Sequence, residues 1–130
     1  MANFEPVFDH IHLRSPDPEA AARFYVDHFG AAISGRIENE KMQRVMIAIG
    51  ALNIFIDRVP EGTSPAQARP HLGLEHVGFR VTDIDAVTAQ LKAKGVEYTM
   101  EPTEIRPGLR ISFIRGPDDV SIELLQRDAG

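Results

Sequence analysis

Two stretches of the chain repeat one another, and that repeat constrains the fold more than any other feature. Asp9-His10-Ile11-His12-Leu13-Arg14 runs through Ser15-Pro16-Asp17 into an alanine-rich segment. Glu75-His76-Val77-Gly78-Phe79-Arg80 runs through Val81-Thr82-Asp83 into a second amphipathic segment. The offset is a constant 66 residues, from His10 to His76, Arg14 to Arg80 and Asp17 to Asp83. Acid, histidine, β-branched residue, arginine and aspartate stay in register, so the chain reads as a duplicated unit with a histidine near the head of each copy.

Local patterning gives both copies the same order of elements. Residues 8–14 alternate, which predicts a strand with His10, His12 and Arg14 on one face. Asp17 is a helix N-cap, Pro18 suits the first helical position, and Gly30 closes the helix. Strands are expected over 32–38, 44–49 and 52–57, the last two joined tightly at Gly50-Ala51. Residues 59–73 hold three prolines and two glycines and read as a linker. Beyond it a strand is expected at 75–81 and a helix capped by Asp83, with Ile84, Val87 and Leu91 inward and a stop at Gly95. A short strand at 96–99, a proline loop at 101–109 and strands at 110–114 and 120–126 complete the repeat, with a turn at Gly116-Pro117-Asp118-Asp119. The fold class is α+β: two βαβββ modules with mostly antiparallel sheets, expected to curl around a shared cleft. Residues 1–130 form a single domain on this reading, with modules at about 7–58 and 74–127.

Composition removes several function classes. The net charge is −5 and no Lys/Arg cluster occurs, which argues against nucleic acid or an anionic membrane as partner. The chain has no cysteine, so disulfides, thiolate catalysis and Cys-based metal sites are excluded. No signal peptide is recognisable at the start and no apolar run is long enough to span a bilayer, so a cytoplasmic location is expected.

The chemistry-bearing residues follow from the repeat. His10 and His76 hold equivalent places, and paired modules would bring those places together. Two imidazoles alone hold a metal weakly, so a carboxylate from a neighbouring strand is needed. Glu123 is the best candidate. Its strand turns Val120, Ile122 and Leu124 to one face and Ser121, Glu123 and Leu125 to the other, an unusual setting for a solvated acid. A lone strand histidine is more often a packed or surface residue than a ligand. Two in repeat-equivalent positions with a glutamate on the last strand are harder to dismiss.

The stretches FDHIHLRSPDPEAAARFYVDHFGA and LEHVGFRVTDIDAVTAQLKAKGVE, followed by GPDDVSIELLQ, resemble the vicinal oxygen chelate superfamily over about residues 7–127. That group holds glyoxalase I, methylmalonyl-CoA epimerase, fosfomycin-resistance proteins and extradiol dioxygenases. The resemblance implies metal ligands at His10, His76 and Glu123, with Glu123 also catalytic. It implies a divalent ion (Zn, Fe, Ni, Co or Mn) and a small-molecule substrate that chelates through neighbouring oxygens; a homodimer is expected from the strand edges that two small modules leave. The implied activity is that of a glyoxalase-like lyase or isomerase, with an enediolate or similar oxyanion stabilised by the metal. Ring-cleaving dioxygenase chemistry and metal-free ligand sequestration are the alternatives.

One position departs from glyoxalase I and the epimerase, which carry a fourth ligand on the last strand of the first half. Aligning residues 51–56 on 119–124, at an offset of 68, puts Phe55 there. A phenyl ring cannot ligate, so the chain resembles three-ligand members, unless a two-residue slip brings in Asp57. Phe55 and His12 are then expected to touch substrate. Arg14, Arg80 and Arg110 are placed to meet a substrate anion, while for Arg14 and Arg80 pairing with nearby acids in solvent is the competing reading.

Overall fold

The computed structural model describes residues 3–128. The chain divides into two compact units at Thr63/Ser64. The first unit runs β1 (Ile11–Ser15), α1 (Pro18–Phe29), β2 (Ala32–Glu38), β3 (Gln43–Ile49) and β4 (Leu52–Arg58). The second runs β5 (Val77–Arg80), α2 (Ile84–Ala93), β6 (Tyr98–Arg106), β7 (Leu109–Arg115) and β8 (Ser121–Arg127). Both are βαβββ modules. Their sheets have the equivalent orders β1-β4-β3-β2 and β5-β8-β7-β6, with one parallel pair in each and the remaining pairs antiparallel.

The expected caps form. The Asp17 side chain accepts a hydrogen bond from the Ala20 amide and that of Asp83 from the Ala86 amide, each at the helix start. Gly30 ends α1 with φ 65°, a left-handed conformation that glycine reaches at little steric cost. In the first unit the apolar face of α1 buries Ala21, Ala22 and Tyr25, and its sheet buries Val45, Ile47, Ile54 and Ile56. In the second unit α2 contributes Ile84 and Leu91, and the sheet contributes Ile114, Ile122 and Leu124. Each sheet therefore gives one face to its helix.

The proline loop expected at 101–109 is not a loop. Those residues belong to β6, a nine-residue strand, and to its turn into β7. β6 is an edge strand, where Pro102 need not donate to a ladder, and its pairing with β7 shifts register between Met100 and Thr103. β5 is shorter than expected, and Glu75 and His76 lie just before it, as His10 lies just before β1.

Candidate metal centre

Strand register turns the repeat into geometry. In the first unit His12 lies opposite Phe55, and in the second Gly78 lies opposite Glu123. The 68-residue offset therefore holds without a slip, and Phe55 and Glu123 occupy equivalent places.

In the second unit His76 and Glu123 come together. His76 Nε2 stands 3.4 Å from Glu123 Oε1, and the Glu123 side chain is only 19% exposed. The other ring nitrogen, Nδ1, is hydrogen-bonded to Glu75, and the bond holds the Glu75 carboxyl below the usual carboxylate range. Phe113 meets the His76 ring edge to face, with centroids 5.0 Å apart. Gly78 gives the carboxylate room, since a Cβ there would lie 3.1 Å from Glu123 Oε1.

This arrangement suits a cation. His76 Nε2 and a Glu123 carboxylate oxygen converge, and an imidazole nitrogen and a carboxylate oxygen are both donor types that a divalent ion takes. Donors bound at about 2.0–2.2 Å to a tetrahedral ion stand roughly 3.4 Å apart, which is the separation found between these two atoms. His76 and Glu123 fit as two ligands of a divalent metal. Among the described residues, no group of three or more His, Cys, Asp or Glu is gathered to hold one.

The first unit uses the equivalent face differently. His10 stacks on Phe55, with centroids 4.0 Å apart and planes 17° from parallel, and its Nδ1 lies 2.7 Å from Asp9 Oδ2. Arg44 lies over the same phenyl ring, 5.1 Å from its centroid, and grips Asp57 with two hydrogen bonds of 2.6 and 3.0 Å. His12 Nε2 joins Asp57 at 2.9 Å. The Arg44 hydrogen bonds hold the Asp57 carboxyl below its usual range, with His12 assisting. Asp57 is thus committed to Arg44 and His12.

The other expected residues separate. Arg14 and Arg80 are exposed on β1 and β5, and neither forms an ion pair among the described residues. Arg110 makes two 2.9 Å bonds to Asp85 at the start of α2. Sequence reasoning missed Arg44 and Phe113, although hairpin symmetry carried the signal. Reflecting the chain about Gly50-Ala51 places Arg44 opposite Asp57, and reflecting it about Asp118 places Phe113 opposite Glu123.

Comparison with known proteins identifies the class. The profile of the Glyoxalase/Bleomycin resistance protein/Dioxygenase superfamily matches residues 7–124, so the chain belongs to that superfamily. It is 26% identical to glyoxalase I of Saccharomyces cerevisiae over 145 residues, covering 92% of this chain but 44% of the yeast protein. It is 25% identical to an Arabidopsis thaliana lactoylglutathione lyase, again over 44% of that protein. The chain therefore spans less than half the length of these relatives. The uncharacterized Bacillus subtilis protein YwkD is 26% identical, with 91% of this chain and 94% of that protein covered. Among solved structures, a glyoxalase family protein from Bacillus cereus superposes with a TM-score of 0.81 at 21% identity, covering 99% of both chains. The fosfomycin resistance protein FosX of Listeria monocytogenes gives 0.75 at 20% identity, covering 96% of both. Likeness at this identity establishes the fold.

Proposed function

We propose that the chain is a divalent-metal-dependent, glyoxalase-like enzyme of lyase or isomerase type, acting on a small substrate with two neighbouring oxygens. The approach of His76 Nε2 to Glu123 Oε1 carries this reading. The family resemblance assigns His10 as the third ligand. A bound divalent ion supplies Lewis-acid stabilisation of a developing substrate oxyanion. Glu123 has two carboxylate oxygens, one turned to His76, so the other is available to move a proton to or from substrate carbon. Ile111, Phe113 and Leu125 share the Glu123 face by register and provide an apolar bed that limits water. Arg14 and Arg80, exposed and without ion pairs among the described residues, are the side chains proposed to meet an anionic substrate group. Edge strands β1 and β5, each preceded by an exposed apolar residue (Phe8 and Leu74), support a homodimer, and we assign the protein to the cytoplasm.

The test is metal analysis of protein prepared metal-replete. One divalent ion per chain is expected in the wild type, with loss in His76→Ala and Glu123→Ala. A wild type without stoichiometric metal would leave metal-free ligand sequestration as the better account. Phe55, where a fourth ligand would stand, favours one second reading, a ring-cleaving dioxygenase with an open three-ligand site. Oxygen uptake with a panel of catechols after anaerobic Fe(II) loading decides it, and absence of uptake rejects it.

A further inference from the structure

Each candidate ligand histidine is preceded by an acid, and in both units that acid holds the same ring atom. Asp9 Oδ2 lies 2.7 Å from His10 Nδ1, and Glu75 Oε2 bonds His76 Nδ1. We propose that Asp9 and Glu75 are positioning residues. Each fixes the following histidine as the Nδ1–H tautomer and so presents Nε2 as the free donor. The geometry stands by itself, while its consequence for metal affinity rests on the metal-dependent reading above.

The chemistry runs in one direction. A carboxylate can only accept, so an imidazole nitrogen bonded to it must carry the hydrogen. In the neutral ring the lone pair then belongs to the opposite nitrogen, because the bond made by one ring nitrogen sets the tautomer. In the second unit that opposite atom is the Nε2 facing Glu123. The two acids differ in length, yet both reach Nδ1.

The Glu75 carboxylate is itself held, and the backbone of Asp9 is tied down. Arg69 Nε lies 3.5 Å from Glu75 Oε1, leaving Oε2 to His76. In the first unit the Asn53 amide donates at 3.2 Å to the Asp9 carbonyl, tying the chain ahead of β1 to β4. The rings are also braced, His10 by its stack on Phe55 and His76 by the edge-on Phe113. Tautomer and ring plane are thus set by separate contacts, as expected of an outer layer that orients metal ligands.

Long-range ¹H–¹⁵N NMR of the metal-free protein at about pH 8, above the ordinary imidazole range, reads the tautomers directly. His10 and His76 are expected as Nδ1–H in the wild type. Asp9→Ala should release His10 alone and Glu75→Ala His76 alone, while Glu75→Gln, whose amide oxygen still accepts, should keep His76 fixed. Co²⁺ titration followed by visible absorption should show roughly 10–100-fold weaker binding in the alanine variants, with thermal melts confirming that they fold. Finding either histidine as Nε2–H in the wild type, or an unchanged tautomer in the alanine variants, would overturn the proposal. A wild type that binds no Co²⁺ while its tautomers respond as described sinks the metal reading and leaves the positioning role standing. Equal Co²⁺ affinity in wild type and Glu75→Ala, with the His76 tautomer unchanged, does the reverse.

Discussion

Phe55 stands opposite His12 at the register place that Glu123 takes opposite Gly78, so the duplicated unit carries a phenyl ring in one copy and a carboxylate in the other. The surroundings changed with them. Around Phe55 the face is charged, with Arg44, Asp57 and His12 linked together. The places in the second unit that match Arg44, Asp57 and His12 are Ile111, Leu125 and Gly78. One copy spends its polar groups on one another, and the other leaves its carboxylate beside a single imidazole.

Gly78 leaves room for the second arrangement. A methyl group there would meet Glu123 Oε1 at 3.1 Å and Leu125 Cδ2 at 3.5 Å, so the carboxylate must give way. Gly78→Ala should weaken Co²⁺ binding about tenfold, the low end of what displacing a ligand's support costs. Gly78 has no positive φ in the strand, so the melting temperature should change little. Unchanged affinity in a calorimetric titration would refute this role for Gly78.

Asp57 should contribute stability that depends on pH. Its folded-state pKa lies below the unfolded value, chiefly because Arg44 hydrogen-bonds its charged form. Such a group stabilises fully above the unfolded carboxylate range and loses its contribution as pH falls through the depressed folded value. Asp57→Asn should therefore cost about 1–2 kcal/mol at neutral pH, as for a hydrogen-bonded charge near the surface. The gap between variant and wild type in urea midpoint should narrow below about pH 4. A gap that stays constant down to acid unfolding would refute the assignment.

The repeat made most of the fold legible. Helix caps at Asp17 and Asp83, strand alternation and the Gly50-Ala51 link are local signals, and they placed every element of the first unit to within a residue or two except β1, which begins later than expected. β6 failed because Pro102 and Pro107 were read as loop punctuation, whereas an edge strand accepts proline where no ladder bond is required. For the site, the alternation around Glu123 told its face and the 68-residue offset told its counterpart. The Arg44–Asp57 grip was harder to see, because cross-strand pairs depend on hairpin register rather than spacing along one strand.

Ser112 is fully buried on the core face of β7, opposite Leu124, and its hydroxyl has no hydrogen-bond partner among the described residues. An unsatisfied buried hydroxyl costs on the order of 1–3 kcal/mol of desolvation. Ser112→Ala removes that cost and leaves only a small loss of packing. It should raise the chemical-denaturation midpoint, by about 1 kcal/mol of stability. A clear fall in midpoint would mean that the hydroxyl is satisfied, for example by a buried water.

The two helix starts are held by different sets of contacts. At α1, Asp17 Oδ1 accepts from the Ala20 amide at 3.1 Å, while Pro18 at the first helical position has no amide to satisfy. At α2, Asp83 Oδ1 accepts from the Ala86 amide at 3.0 Å, and Gln126 of β8 reaches across to accept from the Ile84 amide at 2.8 Å. Either Asp→Ala change removes one capping bond and should cost about 1 kcal/mol. Gln126→Ala leaves the Ile84 amide without its partner in a residue that is itself buried, so it should cost at least as much. Because Asp83 and Gln126 serve different amides of one helix turn, each variant leaves the turn held by the other. The double variant should therefore lose more than the two single losses added together, as fraying becomes possible only when both are gone. Denaturation of the four proteins in that cycle reads the coupling, and strict additivity would show that the two contacts act independently.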